Sequence, residues 1–348
     1  MTADFDAGKP SMPEWREHPL KIVAIGGGTG LSTLLNGLKA YAFPAPAVEI
    51  TAVVTVTDDG GSSGRLRREF KVLPPGDIRN CMVALSEDEA LLSRLFQYRF
   101  ASGRGLKGHS FGNLFLTALT DITGDFPQAV KLSSEVLAIA GRIYPSTSSN
   151  VTLEATLENG EKVVGETRIS RSRSRIRSIS LNPQHCKPLE DTLKAIEAAD
   201  LITLGPGSLF TSIIPNVLVD GIPQAIACSR AVKACFVNLM WQPGETIGFT
   251  AADHVAAIYE HAGVALLDCA VINTRPFSHA LLGKYERREA RPVANDIERL
   301  EAMGLAVVGR ELLLEGEKIR HDPAAIAAVA VELAGKARRG RKDFSATA

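Results

Sequence analysis

The chain lacks the features of a secreted, disulfide-bonded or membrane-spanning protein. Its 348 residues include only five cysteines, scattered without a Cys-x-x-Cys pair, so we expect reduced core thiols rather than a disulfide framework or a zinc site. No apolar run approaches the roughly 18 residues that span a bilayer. Residues 1–19 have neither the basic nor the apolar region of a signal peptide. These absences predict a cytoplasmic protein with no membrane span.

The chain also lacks a net charge, because 39 Lys+Arg balance 39 Asp+Glu. Proteins that coat nucleic acid or anionic membranes usually carry a strong basic excess, so we expect no nucleic-acid partner. The remaining composition is that of an ordinary globular protein, 45% hydrophobic and 22% charged. The length suffices for one large α/β domain with a sizeable core.

Strand and helix patterns alternate along most of the chain. Lys21–Ile25 and Ile50–Val56 are β-rich runs typical of strands buried on both faces of a parallel sheet. Their alternation with helical patterns predicts a doubly wound, mostly parallel, Rossmann-like α/β sheet. We predict one domain over residues 20–336, between a disordered tail over 1–19 and a basic tail over 337–348.

A small antiparallel β insertion is expected at about residues 150–182. Alternating patterns at Val151–Leu157 and Lys162–Val164 flank an Asn-Gly turn, which is a strong hairpin signal. The antiparallel pattern continues through Arg168–Leu181. The alternate arginines of Arg171–Arg177 would share one strand face, either as a charged edge that discourages aggregation or as an anion or partner site.

Three glycine-rich loops follow predicted strands. The first, Gly26–Gly30, opens a helix whose N-terminus could bind a phosphate. It lacks the third glycine of a dinucleotide fingerprint and the Gly-Lys-Ser/Thr of a P-loop. The others are Asp58–Gly64 and Gly205–Ser208. Because ligands bind at the carboxyl ends of parallel strands, we expect the three loops to converge on a phosphate-bearing ligand.

Two adjacent aspartates, Asp58 and Asp59, begin the second loop, and their side chains should diverge. A functional aspartate could bind a ribose, coordinate Mg²⁺ with a diphosphate or activate an incoming hydroxyl. The alternative is an Asx turn before glycine. We favour Asp58 as the functional residue, with a catalytic or Mg²⁺-binding role. Asp77, after Pro75-Gly76, is predicted only to cap a helix.

Other polar residues complete the predicted pocket. An arginine beside a Gly/Ser loop suits bidentate phosphate recognition, although a solvated basic loop explains it equally well. His109 precedes a helix that Ser110 can cap; it could act as an acid, a base or a phosphate donor, but histidines at such places are more often structural. The candidate ligand-binding residues are Gly27, Gly28, Thr29, Gly30, Asp59, Ser62, Ser63, Arg65, Asn80, His109, Asn113, Gly205, Gly207 and Ser208.

Seven segments together form a pattern that matches a known family. In chain order they are Ile25–Gly30, Val56–Arg67, Pro75–Cys81, His109–Leu114, Gly205–Ser212, Gln242–Thr246 and Asp253-His254. In these segments the chain resembles the bacterial gluconeogenesis factor family, which is related to the CofD-type 2-phospho-L-lactate transferases. The similarity covers roughly residues 20–335, and its Thr-Asp-Asp-Gly-Gly-Ser-Ser-Gly run is specific.

The resemblance implies roles for particular residues. The transferases bind a GDP-type group and a deazaflavin alcohol, and they use Mg²⁺ while moving a phospholactyl group. By similarity, Gly27–Gly30 would approach the phosphates, Asp58 and Asn113 would face the reactive side, and Gly207 and Ser208 would hold the nucleotide or sugar. The transferases carry one aspartate in a Thr-Asp-Thr-type context, so the second aspartate here departs from them at the deazaflavin site.

Three functional hypotheses remain open. The bacterial factors look like cytoplasmic proteins that are needed for cell shape on gluconeogenic carbon sources and are associated with binding UDP-N-acetylglucosamine. By that resemblance, the first hypothesis is that this chain is a nucleotide-sugar-binding regulator of cell-wall homeostasis. The second is a Mg²⁺-dependent transferase in which Asp58 activates the acceptor hydroxyl. The third is a nicotinamide oxidoreductase, against which the missing third glycine counts. No cofactor is certain, Mg²⁺ belongs to the second hypothesis, and self-association stays open.

Overall fold

The main sheet of the protein is parallel throughout its described strands. The computed structural model describes residues 18–42, 47–86, 91–172, 174–287 and 289–345. The strands of the main sheet are Leu20–Gly26 (β1), Val48–Val54 (β2), Arg142–Pro145 (β3), Leu201–Leu204 (β7), Val232–Phe236 (β8), Cys269–Asn273 (β9) and Ala306–Arg310 (β10). Their order is β10-β9-β8-β7-β1-β2-β3, with every neighbouring pair parallel.

Helices flank this sheet. They are Gly28–Lys39 (α1), Gly61–Phe70 (α2), Gly76–Leu85 (α3), Leu91–Gln97 (α4), Phe111–Thr123 (α5), Phe126–Val136 (α6), Glu166–Ile169 (α7), Glu190–Ala198 (α8), Ile214–Val217 (α9), Ile222–Cys228 (α10), Ala251–Ala262 (α11), His279–Glu286 (α12), Ile297–Ala302 (α13) and Pro323–Ser345 (α14). A π-helical turn, Leu209–Ile213, leads into α9. The doubly wound α/β fold predicted from the sequence is confirmed.

The order of the strands creates a crevice beside β1. Strand β1 pairs with β2 on one side and with β7 on the other. Strands β2 and β3 extend the sheet on one side of β1, and strands β7 to β10 extend it on the other. A reversal of this kind is a topological switch point, where the loops after the two strands separate and leave room for a ligand. The first and third glycine loops follow β1 and β7, so both lie at this crevice.

The core surrounds the central strands. All four residues of β7 are buried, as are six of the seven in β1, which explains their nearly continuous apolar sequence. Of the five free cysteines, only Cys228 is exposed. Among the described residues no single helix is long and apolar enough to cross a bilayer, while one pair bent by 78°, Leu209–Val217 with Ile222–Cys228, reaches that length and composition together.

The predicted β insertion is present as a separate antiparallel sheet. Its strands are Thr152–Leu157 (β4), Lys162–Val164 (β5) and Ile176–Asn182 (β6), in the order β5-β4-β6. The prediction that the arginines of 171–177 share a strand face is wrong, because β6 begins only at Ile176. The backbone N–H groups of Arg171 and Ser172 bond back to the end of α7 instead. Residue 173 lies outside the described residues.

The last helix is longer than predicted. It continues to Ser345, so the segment from 337, predicted as a tail, is helical through residue 345. Arg338, within this helix, forms an ion pair with the buried carboxylate of Asp200 and donates to the backbone oxygens of His18 and Pro19. These contacts hold α14 against the start of β1. Residues 1–17 of the predicted N-terminal tail and residues 346–348 lie outside the described residues.

A short hairpin precedes α14 and reaches the crevice side of the sheet. Its strands are Leu313–Glu315 (β11) and Ile319–His321 (β12), paired antiparallel. The ring of His321 bonds to the Val237 backbone at the end of β8, and burial lowers its pKa to about 4. A neutral imidazole therefore fixes the hairpin to the sheet near pH 7.

Close packing of α1 against α14 gives a first prediction. A Cβ added at Gly37 would lie 1.9 Å from the Pro323 carbonyl oxygen and 2.8 Å from the Ala327 Cβ. Alanine is favoured over glycine inside a helix by about 1 kcal/mol, but this backbone clash outweighs the gain. We expect Gly37→Ala to lower the free energy of unfolding by about 2 kcal/mol in urea titration.

The matched control is Gly283→Ala in α12, where an added Cβ meets nothing within 4 Å. That variant should be as stable as the original or more stable by up to about 1 kcal/mol. Equal effects of the two substitutions would contradict the packing described for Gly37.

Candidate functional site

The first and third glycine loops pack directly on each other at the switch point. A Cβ added at Gly30 would lie 2.3 Å from the Pro206 carbonyl oxygen and 2.6 Å from the Gly207 Cα. The absence of a side chain at Gly30 is therefore required by contact between the two loops. This contact places the N-terminus of α1 against the loop that follows β7.

A cavity of about 690 Å³ opens between these two loops. The predicted ligand-binding residues that line it are Gly27, Gly28, Thr29, Gly30, Gly207 and Ser208. Sequence reasoning missed three further lining segments: the loop after β8, with Asn238 and Trp241; Tyr285 of α12; and Lys318–His321 of the β11–β12 hairpin. These segments follow strands late in the chain and carry no glycine loop, so only the strand order brings them to the cavity.

The loop after β8 braces the third glycine loop. Gln242 Nε2 donates to Ser208 Oγ at 2.7 Å, and the Gln242 backbone N–H donates to Thr246 Oγ1 at 3.0 Å. The buried Glu245 accepts hydrogen bonds from the Phe210 N–H at 3.3 Å and the Thr211 hydroxyl at 3.2 Å. The Gln-Pro-Gly-Glu-Thr segment therefore fixes both the wall of the cavity and the start of the turn behind it.

The two adjacent aspartates diverge, as predicted. Asp58 Oδ1 accepts from the Gly60 N–H at 2.8 Å, which is the Asx turn, while a Cβ added at Gly76 would lie 2.6 Å from Asp58 Oδ2. Asp59 Oδ1 accepts from both the N–H and the hydroxyl of Thr167, at 2.9 and 2.6 Å. Asp58 therefore faces the start of α3, and Asp59 holds α7 of the β insertion.

Buried hydrogen bonds join the second glycine loop to the start of α5. Ser62 Oγ lies 2.9 Å from His109 Nδ1, and Asn113 Nδ2 donates to Ser63 Oγ at 3.4 Å. All four residues are buried. Burial, and then the nearby Arg65 guanidinium, lower the pKa of His109, so its imidazole is neutral near pH 7. Arg65 itself donates to a backbone carbonyl, that of Lys107, at 3.0 Å.

The structure thus divides the predicted site residues into separate groups. One group lines the cavity between the first and third glycine loops. A second group, the hydrogen-bonded layer around the second loop, contains Asp58, Asp59, Ser62, Ser63, Arg65, His109 and Asn113 and does not line that cavity. Asn80 lines a neighbouring cavity of about 580 Å³. Gly205, the first residue of the third loop, has a φ of +80° and lines neither cavity.

A residue that sequence reasoning assigned only to helix capping links the first two groups. Asp77 is not the N-cap of α3, which is Pro75; its carboxylate bonds to the Gly28 backbone N–H and lies 2.8 Å from a Cβ added at Gly27. Burial, and then Asp58, raise the pKa of Asp77 to about 7. The carboxylate thus takes one of the N–H groups at the N-terminus of α1, and a phosphate bound there would use the next ones.

A second buried carboxylate, Glu166 of α7, faces the same region. Burial, followed by Asp77 and Asp58, raises its pKa to about 9, and its Oε2 is buried without a hydrogen-bond partner among the described residues. Glu166 is therefore protonated near neutral pH. No local pattern pointed to Glu166, because α7 lies in the segment that was predicted to be a β insertion and not part of the site.

These carboxylates do not form a complete metal site. In the part of the chain that the structure describes, no three His, Cys, Asp or Glu side chains are placed to hold a metal ion. Magnesium, however, often binds through one or two carboxylates together with substrate phosphates. Asp58 and Asp77 fit that arrangement, since their mutual repulsion beside the glycine loop would be relieved by a cation arriving with a phosphate ligand.

The raised pKa of Asp77 predicts a pH-dependent effect on stability. Folded Asp77 keeps its proton up to about pH 7, whereas the unfolded residue loses it near 3.8, so stability falls as pH rises between these values. An asparagine at this position cannot ionise, and its amide oxygen can still accept from Gly28. We expect Asp77→Asn to raise the free energy of unfolding by about 1–2 kcal/mol at pH 8, with a smaller gain at pH 5.

Urea titrations at the two pH values measure this difference. The control is Asp121→Asn, an exposed aspartate on α5, which should change stability equally little at both. A gain for Asp77→Asn that does not depend on pH would contradict a carboxylate that is costly to ionise.

Comparison with known proteins agrees with this architecture. The sequence model of the family described as 2-phospho-L-lactate transferase CofD matches residues 22–313. The chain is 48% identical over 314 residues to the gluconeogenesis factor of Bacillus subtilis, with 90% of this chain and 98% of that protein covered. It is 46% identical over 312 residues to the gluconeogenesis factor of Halalkalibacterium halodurans, with coverage of 89% and 95%.

Solved structures agree as well. A Bacillus halodurans protein described as a member of the UPF0052 family matches with a TM-score of 0.84 at 45% identity, covering 90% of this chain and 98% of that one. The resemblance drawn from the glycine loops and the Thr-Asp-Asp-Gly-Gly-Ser-Ser-Gly run is thereby confirmed. The chain belongs to the CofD family, and its relatives include the bacterial gluconeogenesis factors.

Proposed function

We propose that this chain is a cytoplasmic gluconeogenesis factor that binds a nucleotide sugar of the UDP-N-acetylglucosamine type between its first and third glycine loops. Binding without turnover would let the protein respond to nucleotide-sugar supply and so serve cell shape and cell-wall homeostasis on gluconeogenic carbon sources. The names of its relatives support the gluconeogenic role. The cavity at the switch point is the observation that carries the choice of ligand.

The diphosphate would bind at the start of α1. The first turn of a helix has backbone N–H groups without intrahelical partners and carries about half a positive charge, which together favour phosphate. Gly28 lines the cavity with a φ of +60°. Asp77 already accepts from the Gly28 N–H, so a phosphate would meet the N–H groups of Thr29 and Gly30. Gly207 and Ser208 face the same space from the β7 side.

Aromatic and amide side chains in the same cavity suit the base and the sugar. The ring of Trp241 is fixed, because its Nε1–H donates to the Phe249 carbonyl at 2.9 Å, and Tyr285 supplies a second ring. Asn238 and Gln242 offer donors and acceptors for a base edge or an N-acetyl group. A few placed polar groups among apolar walls, in a cavity of about 690 Å³, match the usual character of small-molecule sites.

Calorimetric titration with UDP-N-acetylglucosamine tests the proposal. We expect one molecule to bind per chain and to be recovered unchanged after hours, with or without Mg²⁺. Gly28→Ala should weaken binding at least tenfold, about 1.4 kcal/mol, because the new methyl group projects from the first turn of α1. Space for this Cβ exists, since its nearest neighbour is Ser212 Oγ at 3.7 Å.

The control variant carries the same backbone strain at a different place. Gly124 has a φ of +69° and nothing within 4 Å of an added Cβ, but it ends α5 and does not line the cavity. Gly124→Ala should therefore lose similar stability and keep its affinity. If Gly28→Ala bound UDP-N-acetylglucosamine as tightly as Gly124→Ala, the phosphate would not lie at the start of α1.

A second candidate function is supported by the carboxylates beside the first glycine loop. Asp58 and Asp77 would share a Mg²⁺ ion with the donor diphosphate, and the ion would neutralise charge on the leaving group. Asp58 would accept the proton of an acceptor hydroxyl as it attacks. Turnover of a nucleotide diphosphate donor that requires Mg²⁺ and is abolished by Asp58→Asn would favour this transferase over the regulator.

A further inference from the structure

A second cavity, of about 580 Å³, lies beside the proposed nucleotide-sugar site. It is bounded by α1, by α3 and by the β11–β12 hairpin. Thr29 and Thr33 of α1, with Arg320 and His321 of the hairpin, line both cavities and separate them. The hypotheses drawn from the glycine loops do not use this space, apart from Asn80.

The charged side chains that line this cavity are all positive, among the residues that the structure describes. Arg79 and Arg320 line it, and no described carboxylate does. The exposed guanidinium of Arg320 makes no hydrogen bond or ion pair with the described residues, and that of Arg79 bonds only to the Asn80 amide oxygen. Asp77 and Asp58 lie close enough to Arg79 to interact with its charge, but neither lines the cavity. Two arginines that face a concave space lined by no described carboxylate attract an anion, and their planar donors suit phosphate oxygens.

Arg79 is held in place for this role. A Cβ added at Gly112 would lie 2.9 Å from the Arg79 Cγ and 2.8 Å from the Phe96 ring, so the arginine stem passes between α3 and the start of α5. Its Nε is buried and has no hydrogen-bond partner among the described residues. This nitrogen has no surface open to the cavity, so Arg79 would meet an anion through its terminal nitrogens, of which Nη2 bonds to the Asn80 amide oxygen at the cavity wall.

The remaining polar lining suits hydroxyl groups. The amides of Asn36, Asn80 and Gln97 provide both donors and acceptors. The hydroxyls of Ser32 and Thr33 donate to backbone carbonyls of α1, which leaves their oxygens able to accept. An anion bound by the two arginines would therefore be surrounded by groups that bind a polyhydroxylated body.

We propose that this cavity is a second ligand site, which takes a small phosphorylated polyol of the sugar-phosphate class through Arg79 and Arg320. The site shares four wall residues, Arg320 among them, with the nucleotide-sugar cavity, but it does not require a nucleotide sugar to be bound. Because Thr29 and Thr33 face both cavities, the two ligands would lie on either side of the first turns of α1. The protein would then bind a nucleotide sugar and a sugar phosphate at the same time.

Calorimetric titration with glucose 6-phosphate, and with glucose as the uncharged control, tests this site. We expect glucose 6-phosphate to bind one per chain with a Kd between about 10 μM and 1 mM, both to the free protein and to protein saturated with UDP-N-acetylglucosamine. Glucose should bind at least about tenfold more weakly, since it lacks the anion. The titration of the free protein decides the matter even if the UDP-sugar does not bind.

Variants separate this cavity from general surface charge. Arg320 is exposed, so Arg320→Gln should fold normally and weaken glucose 6-phosphate binding at least about tenfold. The control is Arg94→Gln, an exposed arginine of α4 that does not line the cavity and should keep the original affinity.

Three results would overturn the proposal. One is that glucose 6-phosphate binds no better than glucose. Another is that Arg320→Gln and Arg94→Gln have equal effects, which would indicate non-specific attraction of an anion. The third is full displacement of glucose 6-phosphate by UDP-N-acetylglucosamine, which would make the cavity part of the nucleotide-sugar site.

Discussion

The contact between Gly30 and the Pro206–Gly207 backbone holds together the two loops between which the candidate site lies. It brings the start of α1, which follows β1, against the loop that follows β7. The cavity opens between these two loops, Gln242 braces Ser208 from the loop after β8, and the β11–β12 hairpin lines the same space. Any side chain at position 30 would force the two loops apart, whatever the ligand.

The second glycine loop has a different task from the other two. Its serines and Asp59 hold neighbouring elements together, namely the start of α5 and α7 of the insertion. Asp59 binds Thr167 near the beginning of α7, and Glu245 accepts from Ser170 just after its end, at 3.3 Å. The short helix is thus tied to two loops of the sheet edge, which keeps Glu166 next to Asp77 and Asp58.

Local patterns were sufficient for most of the fold and only part of the site. Buried β runs, the Asn-Gly hairpin and the glycine loops predicted the parallel sheet, the insertion and one wall of the cavity. Trp241, Tyr285 and Arg320 could not be found this way, because they reach the cavity only through the order of strands far apart in sequence. Asp77 was missed because a residue that caps a helix and one that binds a neighbouring loop look alike in sequence. The shared strand face over 171–177 was predicted wrongly because alternating arginines do not show where α7 ends and β6 begins.

The central claim is that a phosphate-bearing ligand binds to the first turn of α1 between the two glycine loops. Hydrogen exchange of backbone amides with and without UDP-N-acetylglucosamine tests it most directly, since a bound phosphate must slow exchange of the N–H groups it accepts from. The Gly28 N–H is already bonded to Asp77 and the Leu31 N–H to the Gly27 carbonyl. The account therefore predicts slowed exchange at residues 29, 30 and 207–209, with little change at residues 111–123 of α5. Protection confined to residues outside these two loops, with none at the start of α1, would contradict it.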